Sequence, residues 1–188
     1  MNNEKLFIPI ILGTTRKGRQ SEKVAQWILD QMKKRDDIET TLIDSREYPL
    51  PDDHGYGTGA GREMSDLRDT VVRADGFVIV VPEYNRGYPG PLKSLLDLYY
   101  TEYARKTVAF IGVGAGMVGG ARVVENLLPV VRELGLVATH KEMLFPNVMD
   151  AFNDDGSVRD TDYETKRAPK FLDELVWVAG TLRKGREE

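Results

Sequence analysis

A doubly wound, parallel α/β sheet is the fold class this sequence predicts, and three observations predict it. Strand-like and helix-like segments alternate from end to end, with no linker or low-complexity stretch between them. The clearest strand, Phe77-Val78-Ile79-Val80-Val81, is apolar throughout rather than alternating, as a strand covered on both faces must be. The composition, 41% hydrophobic and 30% charged over 188 residues, is that of a globular chain with room for one sizeable core and little room for two. The expectation is a single domain over residues 1–188.

The elements follow in order. Strand one spans Leu6 to Leu12, with Pro9 as an uncomfortable member because it cannot donate to a ladder. Helix one starts near Ser21, a good N-cap, and places Val24, Ile28 and Met32 on one face. Strand two is Thr40 to Ile43. Helix two follows a glycine-rich segment ending at Gly61 and aligns Met64, Leu67, Val71 and Ala74. Strand three is Phe77 to Val81, and helix three runs from about Pro91 to Tyr100, since proline suits a first helical position. Strand four is Thr107 to Val113. Helix four carries Val124, Leu127, Leu128, Val131 and Leu134, and Gly135 stops it. Strand five lies near Leu136 to Thr139, and the last helix carries Phe171, Leu175, Val178 and Leu182. Phe145 to Thr161 has little periodicity and reads as an excursion, with a turn at Asn153-Asp154-Asp155-Gly156. Such alternation implies a parallel sheet between two helical layers, a three-layer α/β/α sandwich. It does not by itself choose a strand order. Five strands in one domain favour the flavodoxin-like order 2-1-3-4-5 over the six-stranded dinucleotide fold.

Composition narrows the chemistry. A net charge of −4 argues against a nucleic-acid partner, which would want a basic surface. The absence of cysteine excludes disulfides, thiolate-held iron–sulfur clusters, zinc fingers and a cysteine nucleophile. Two histidines, His54 and His140, are too few for a histidine-rich metal site. The start, Met1-Asn2-Asn3-Glu4-Lys5, has no leader pattern and no apolar run reaches membrane length, so the expected location is the cytoplasm, away from any membrane.

Three unusual loops fall on the same edge of such a sheet, at the carboxyl ends of strands one, three and four, where open α/β sheets place ligands. Gly13-Thr14-Thr15-Arg16-Lys17-Gly18-Arg19-Gln20-Ser21 combines hydroxyls, helix-start amides and cations, the ingredients of a phosphate site. It lacks the Gly-Lys-Ser/Thr of a P-loop, and a solvated loop with Ser21 as a mere cap is the plain alternative. Pro82-Glu83-Tyr84-Asn85-Arg86-Gly87-Tyr88-Pro89-Gly90-Pro91 is rigid, aromatic and bracketed by prolines, and suits the edge of a flat heteroaromatic ring such as a flavin. Its alternative is a tight structural turn. Gly114-Ala115-Gly116-Met117-Val118-Gly119-Gly120 matches Gly-x-Gly-x-x-Gly between strand and helix. It follows the wrong strand for a Rossmann site, and Thr139-His140-Lys141 stands where an acidic residue would be needed. Glycines that let backbone approach a ring are the better interpretation.

The chain resembles the NADPH-dependent FMN reductases of the flavodoxin-like superfamily, which include quinone, azo-dye and chromate reductases. The family's Gly-Ser-x-Arg loop with a later serine corresponds to Gly13-Thr14-Thr15-Arg16 and Ser21. Its Pro-Glu-Tyr-Asn element and following Leu-Lys-x-x-Leu-Asp correspond to Pro82-Glu83-Tyr84-Asn85 and Leu92-Lys93-Ser94-Leu95-Leu96-Asp97. Thr14 replaces the serine, and Glu22-Lys23 stands where many members have asparagine. The resemblance implies FMN as cofactor and NADPH or NADH as co-substrate. It also implies that Thr14, Arg16 and Ser21 hold the FMN phosphate, and that Pro82, Glu83, Tyr84 and Asn85 run along the ring edge. Gly114, Ala115 and Gly116 would lie near the ring's other side.

A flavin would do the chemistry while the protein binds, orients and tunes it. Reduction by NAD(P)H followed by release of electrons to a small acceptor needs no side-chain acid or base, so no catalytic residue and no metal ligand is named. Arg16, Lys17, Arg19, Arg86 and Arg122 are candidates for the extra phosphate of NADPH. The segment Asp52-Asp53-His54-Gly55-Tyr56-Gly57-Thr58-Gly59 offers too few converging ligands for a metal, and its glycines suggest a mobile flap. His140 reads as a surface residue, and Trp27 and Trp177 as core or interface. The rival functions are an electron-carrier flavodoxin, whose Thr-x-Thr-Gly-x-Thr loop and strongly acidic face are missing here, and a non-catalytic module with a degenerate pocket. Leu95, Leu96, Leu98 and Tyr99 would cover most of helix three, an all-round apolar helix that implies a second subunit, hence a homodimer or dimer of dimers.

Overall fold

The computed structural model describes residues 4–48 and 64–188. The glycine-rich segment with His54 lies outside the described residues. Strand one is two short strands, β1 (Leu6–Phe7) and β2 (Ile10–Leu12). Pro9 explains the break, because it has no N–H to give. Its carbonyl still accepts from Val78 N–H at 3.0 Å, and Ile8 and Ile10 N–H donate to Glu39 and Thr41 carbonyls at 2.8 Å. The ladder is therefore continuous across the break. Strand two is split in the same place, into β3 (Ile38–Glu39) and β4 (Leu42–Asp44), with Thr40 Oγ1 donating to Ile8 O at 2.8 Å.

The centre of the sheet is regular. Strands β5 (Gly76–Pro82) and β6 (Thr107–Val113) pair in parallel from Gly76↔Thr107 to Pro82↔Val113. Strand five is again split: β7 (Val137–Ala138) and β8 (Met143–Phe145) pair with opposite ends of β6. The order β4-β2-β5-β6-β7, with β8 also on β6, is the predicted 2-1-3-4-5 by position. The correction concerns the count, since three of the five strands are broken in two.

Helices α1 (Ser21–Lys33) and α5 (Ala168–Glu187) cover one face, and α2 (Ser65–Arg73), α3 (Gly90–Leu96) and α4 (Ala121–Glu133) the other. The side-chain alternation of β5 divides the core between them. Val78 and Val80 join Val24, Ile28, Met32, Phe171 and Leu175, whereas Phe77, Ile79 and Val81 join Leu67, Val71, Leu92 and Leu127. Val178 and Leu182, expected on the buried face of the last helix, are only half-buried, and Ala179 takes the inner position.

Two further expectations change. Helix three ends at Leu96, and a 3-10 turn at Thr101–Tyr103 follows. That turn swings Tyr99 and Tyr103 inward, the Tyr103 ring 5.5 Å from Phe77 and 6.5 Å from Tyr99. Leu95, Leu96, Tyr99 and Tyr103 are all buried within their own chain, so the all-round apolar helix does not exist. The excursion after Phe145 is packed rather than loose. A hairpin turn at Asn153–Gly156 is closed by the Phe152↔Val158 bridge, and a π-helical turn at Tyr163–Arg167 leads into α5. Phe145 stacks on Tyr163 at 4.4 Å and meets Trp27 edge-on at 5.4 Å, which ties this segment to α1. Among the described residues no helix is long and apolar enough to cross a membrane.

Candidate functional site

The carboxyl edge of the sheet holds a cavity of about 390 Å3 into which all three loops project. Its floor is the end of β5 and β6 at Pro82 and Val113. The first loop leaves β2 at Gly13, whose N–H donates to Val80 O at 3.0 Å, and enters α1 at Ser21. Thr14 is buried at 1% exposure and joins this loop to the second, its Oγ1 lying 3.0 Å from Tyr84 Oη. The same hydroxyl accepts from Arg16 N–H at 3.3 Å.

Ser21 does not cap α1. The N-cap position is Gln20, Ser21 is the first helical residue, and its buried Oγ has no hydrogen-bond partner. An orphan hydroxyl at a helix N-terminus is costly, on the order of 1–3 kcal/mol, unless a ligand completes it. Arg16 and Lys17 stand exposed at the mouth, the Arg16 guanidinium 5.7 Å from the centre of the Tyr84 ring. Arg19, a candidate for the extra phosphate of NADPH, is instead buried and grips Asp44 with both terminal nitrogens. Burial opposes the charge on each partner, but their hydrogen bonds outweigh it. The guanidinium sits above its ordinary value and the Asp44 carboxyl below the usual carboxylate range.

The second loop is a hairpin. Tyr84 and Gly87 exchange both backbone hydrogen bonds at 2.9 Å, around a two-residue tip with Asn85 at φ +50° and Arg86 at φ +70°. Both tip residues are thus in the left-handed region, as a type I′ turn requires. Asparagine tolerates this conformation well. Arginine does not, and its placement costs on the order of 1 kcal/mol. The tip is pinned from α4, where Asn126 Nδ2 donates to Arg86 O at 2.5 Å. Glu83 reaches α4 too: its Oε1 accepts from Arg122 Nη1 at 3.1 Å, while its buried Oε2 has no partner. Arg122 is therefore partly committed, and Arg86 is the exposed cation of this loop.

The third loop folds back on itself. A Cβ at Gly114 would stand 2.9 Å from Gly120 N, so that glycine is needed for the loop's own backbone. Gly116 faces open space. Asn147 N–H donates to Gly116 O at 3.2 Å and Val148 N–H to Gly114 O at 3.1 Å, so the segment after β8 buttresses this loop.

The cavity gathers Arg16, Ser21, Pro82, Glu83, Tyr84, Gly114 and Ala115 from the sequence-derived set. Thr14 lies beneath it, and Asn85 and Gly116 lie outside its lining. Val148 and Met149 line it as well and were missed by sequence reasoning. The signal was present but short: Met143-Leu144-Phe145 followed by Pro146 reads as a strand and a turn, which would have brought the next residues to the same edge. His140 is exposed, Trp27 is core at 5% exposure, and Trp177 is 70% exposed. Among the described residues no group of acidic and histidine side chains could hold a metal ion.

A three-layer α/β/α sandwich with sheet order 2-1-3-4-5 and a cavity between three loops at its carboxyl edge is a flavodoxin-like fold, and comparison with known proteins agrees. The family model for NADPH-dependent FMN reductase matches residues 7–150, and the chain belongs to that family. It is an NAD(P)H-dependent oxidoreductase with FMN as cofactor. The FMN-dependent NADPH-azoreductase of Staphylococcus aureus (strain USA300) is 29% identical over 175 residues, 89% of this chain and 92% of that protein. Among solved structures, the flavoenzyme NAD(P)H:(acceptor) oxidoreductase FerB of Paracoccus denitrificans superposes with a TM-score of 0.78 at 25% identity. The match covers 94% of this chain and 98% of that one. A short-chain flavodoxin associated with a bacterial microcompartment shares the fold at a TM-score of 0.60 and 16% identity, over 93% and 99% of the two chains.

Proposed function

We propose that the cavity between the three loops holds FMN, with its phosphate on the Thr14–Ser21 loop and its ring against Pro82–Asn85, and that the protein so loaded couples NAD(P)H oxidation to the reduction of small electron acceptors. The observation that carries this is the buried, partnerless Ser21 hydroxyl at the N-terminus of α1, within reach of a cavity edged by Arg16 and Lys17. Thr15 and Lys17 N–H also donate to no protein atom among the described residues. A phosphate monoester would complete all of these groups, and the positive end of the helix favours it.

Bound FMN would supply the redox chemistry between NAD(P)H and the acceptor. The chain's own residues bind and orient. Thr14 and Tyr84 lock the phosphate loop to the ring loop through their 3.0 Å contact, so phosphate and ring subsites move as one. The Asn85–Arg86 tip, pinned by Asn126, sets the height of the ring edge. Arg86, Lys17 and the outer side of Arg122 are the cations available to the extra 2′-phosphate of NADPH, and Arg19 is removed from that set. Gly114 and Ala115, with Val148 hydrogen-bonded to Gly114, wall the opposite side, and Gly116 lies beyond that lining.

Quinone, azo, flavin and chromate acceptors all suit an exposed ring, and the likeness to an FMN-dependent NADPH-azoreductase makes azo compounds the first to test. Purified protein should carry flavin absorbance, and a steady-state panel of these acceptors with NADPH and NADH should rank them. A colourless protein that takes up no FMN defeats the proposal. An FMN-loaded protein that oxidises neither nicotinamide supports the carrier reading instead. The same proposal includes one domain over the whole chain, a cytoplasmic setting where the nicotinamide pool lies, and self-association into a homodimer or dimer of dimers. The basis for self-association is smaller than helix three promised. It is the exposed pair Tyr100, at 43%, and Leu128, at 37%, with Tyr100 Oη held 3.3 Å from Glu133 on α4.

A further inference from the structure

Three successive carbonyl oxygens of the first loop are held by two arginines. Arg19 Nη1 donates to Thr14 O, Arg46 Nε to Thr15 O at 3.2 Å, and Arg46 Nη2 to Arg16 O. Both guanidiniums are themselves fixed. Arg19 is bidentate on Asp44, the last residue of β4, and its Nε donates to Glu22 Oε2 at 3.3 Å. Arg46 sits two residues beyond Asp44, whose Oδ1 accepts from Arg46 N–H at 3.0 Å, and its Nη1 lies 3.5 Å from the same Glu22 oxygen. The loop is thus clamped between the end of β4 and the first turn of α1.

Trans peptides fix the consequence, and no cis bond is present among the described residues. In a trans peptide the N–H points opposite to the C=O. With the carbonyls of Thr14, Thr15 and Arg16 held toward the arginines, the N–H groups of Thr15 and Lys17 are left turned to the other side without a protein acceptor among the described residues, while that of Arg16 donates to Thr14 Oγ1 at 3.3 Å. Parallel carbonyls repel one another, so a free loop would not keep this arrangement. Guanidinium groups compensate the repulsion, since each presents several donors in a rigid fork. Asp44 and Glu22 balance the charge of the pair, so Arg19 and Arg46 are not themselves counter-ions for a ligand.

We propose that Arg19 and Arg46 are positioning residues that preset the amides of the Thr14–Lys17 loop for a phosphate monoester, and so make the site select FMN over riboflavin. This rests on the assignment of the phosphate to that loop. Neither arginine needs to touch the ligand. Their contribution is that the loop pays little ordering cost when the phosphate arrives.

The test is flavin binding by fluorescence quenching, on the full-length chain freed of flavin, with FMN and riboflavin titrated separately. Arg46 is the safer site, with its side chain 35% exposed. Arg46→Ala should weaken FMN about tenfold, the equivalent of one lost charge-assisted hydrogen bond, and leave riboflavin affinity unchanged. Arg46→Lys should behave like Arg46→Ala, because one ammonium cannot bridge two carbonyls in the geometry of a fork. Arg19→Lys should show a larger loss of the same kind where circular dichroism reports a native fold. Inorganic phosphate should compete with FMN on the wild type and less well on the variants. An unchanged ratio of FMN to riboflavin affinity in the Arg46 variants overturns the inference. So does an equal loss of both flavins, which would mark a general structural role, or full rescue by Arg46→Lys, which would mark simple charge. A wild type that binds FMN and riboflavin equally overturns the phosphate assignment itself, and is recognised without any variant.

Discussion

The Ser21 hydroxyl has two opposite energetic signs, depending on whether the site is filled. Buried without a partner, it costs stability in the empty protein. Completed by a phosphate oxygen, it contributes to binding. Ser21→Ala should therefore raise the melting temperature of the flavin-free protein by about 2–4 °C, the equivalent of about 1 kcal/mol for this size. The same change should weaken FMN binding by about 1 kcal/mol. A fall in both quantities would mean that the hydroxyl has a protein partner in solution. Arg16→Ala acts on one side only. Arg16 is exposed and its side chain makes no hydrogen bond among the described residues, so stability should hold while FMN affinity drops by about 1–3 kcal/mol. Equilibrium titration checks both numbers. The make-up of the first loop was legible as a cluster of hydroxyls and cations ahead of a helix. Their division of labour was not. Nothing in the spacing of Arg16, Lys17 and Arg19 says which cation faces outward, because that depends on Asp44, a residue on a neighbouring strand.

The hairpin at the end of β5 is an element whose place was legible and whose shape was not. A proline-bracketed stretch after an apolar strand announces a rigid loop at the ligand edge. The Asn85-Arg86 pair, however, is not the Asn-Gly signature of a type I′ turn, so the tight reversal stayed hidden. Asn126 on α4, forty residues away, holds the strained tip. Arg86→Gly should relieve the strain and stabilise the protein by about 0.5–1 kcal/mol, less the entropy that glycine adds to the unfolded chain. If the Arg86 side chain serves NADPH, the same variant should raise the KM for NADPH more than that for NADH. Thermal melts and the two KM values separate the effects. A clear loss of stability would show that the tip is not strained. Helix three failed for a related reason. Tyr99 and Tyr103 fit a helical stripe in one dimension, and only the 3-10 turn at Thr101–Tyr103 reveals that they fold inward onto Phe77.

At the scale of the molecule, the sheet order was legible because alternation and strand number leave few topologies open. The strand breaks were less so, since Pro9 signals only the one in strand one, opposite which strand two is also broken. Stability against pH should carry one unusual contribution. Lys106 is 6% exposed, and its Nζ donates to Val71 and Val72 carbonyls at the end of α2, at 2.6 and 2.8 Å. Burial and then Arg186 pull its ammonium from 10.5 down to about 8, against Asp75 and Glu102. The folded value lies below the unfolded one. The cost of burying the charge is thus fully present below about pH 8, and it is relieved as the pH rises from there toward about 10.5. Wild type should accordingly gain stability on a Lys106→Met variant between about pH 7 and pH 10, read as the difference in urea midpoints. A flat difference would mean that the two carbonyls hold the proton in place. Sedimentation decides the assembly. At micromolar concentration a species of twice 21.2 kDa or more is expected, and a clean monomer with FMN bound and full turnover would remove the dimer.

The glycine loop after β6 also bears on how this protein could be re-engineered. A Cβ at Gly120 would stand 2.5 Å from Val113 N, and one at Gly112 would stand 2.8 Å from Gly120 O, both backbone atoms that cannot step aside. A saturation library at these two positions should therefore return almost only glycine. A Cβ at Gly116 would meet nothing within 4 Å, Met117 is 87% exposed, and Met149, which lines the cavity, is 65% exposed. The loop is an anvil with a free upper face: diversity directed at 116, 117 and 149 could reshape acceptor choice without asking the fold for anything.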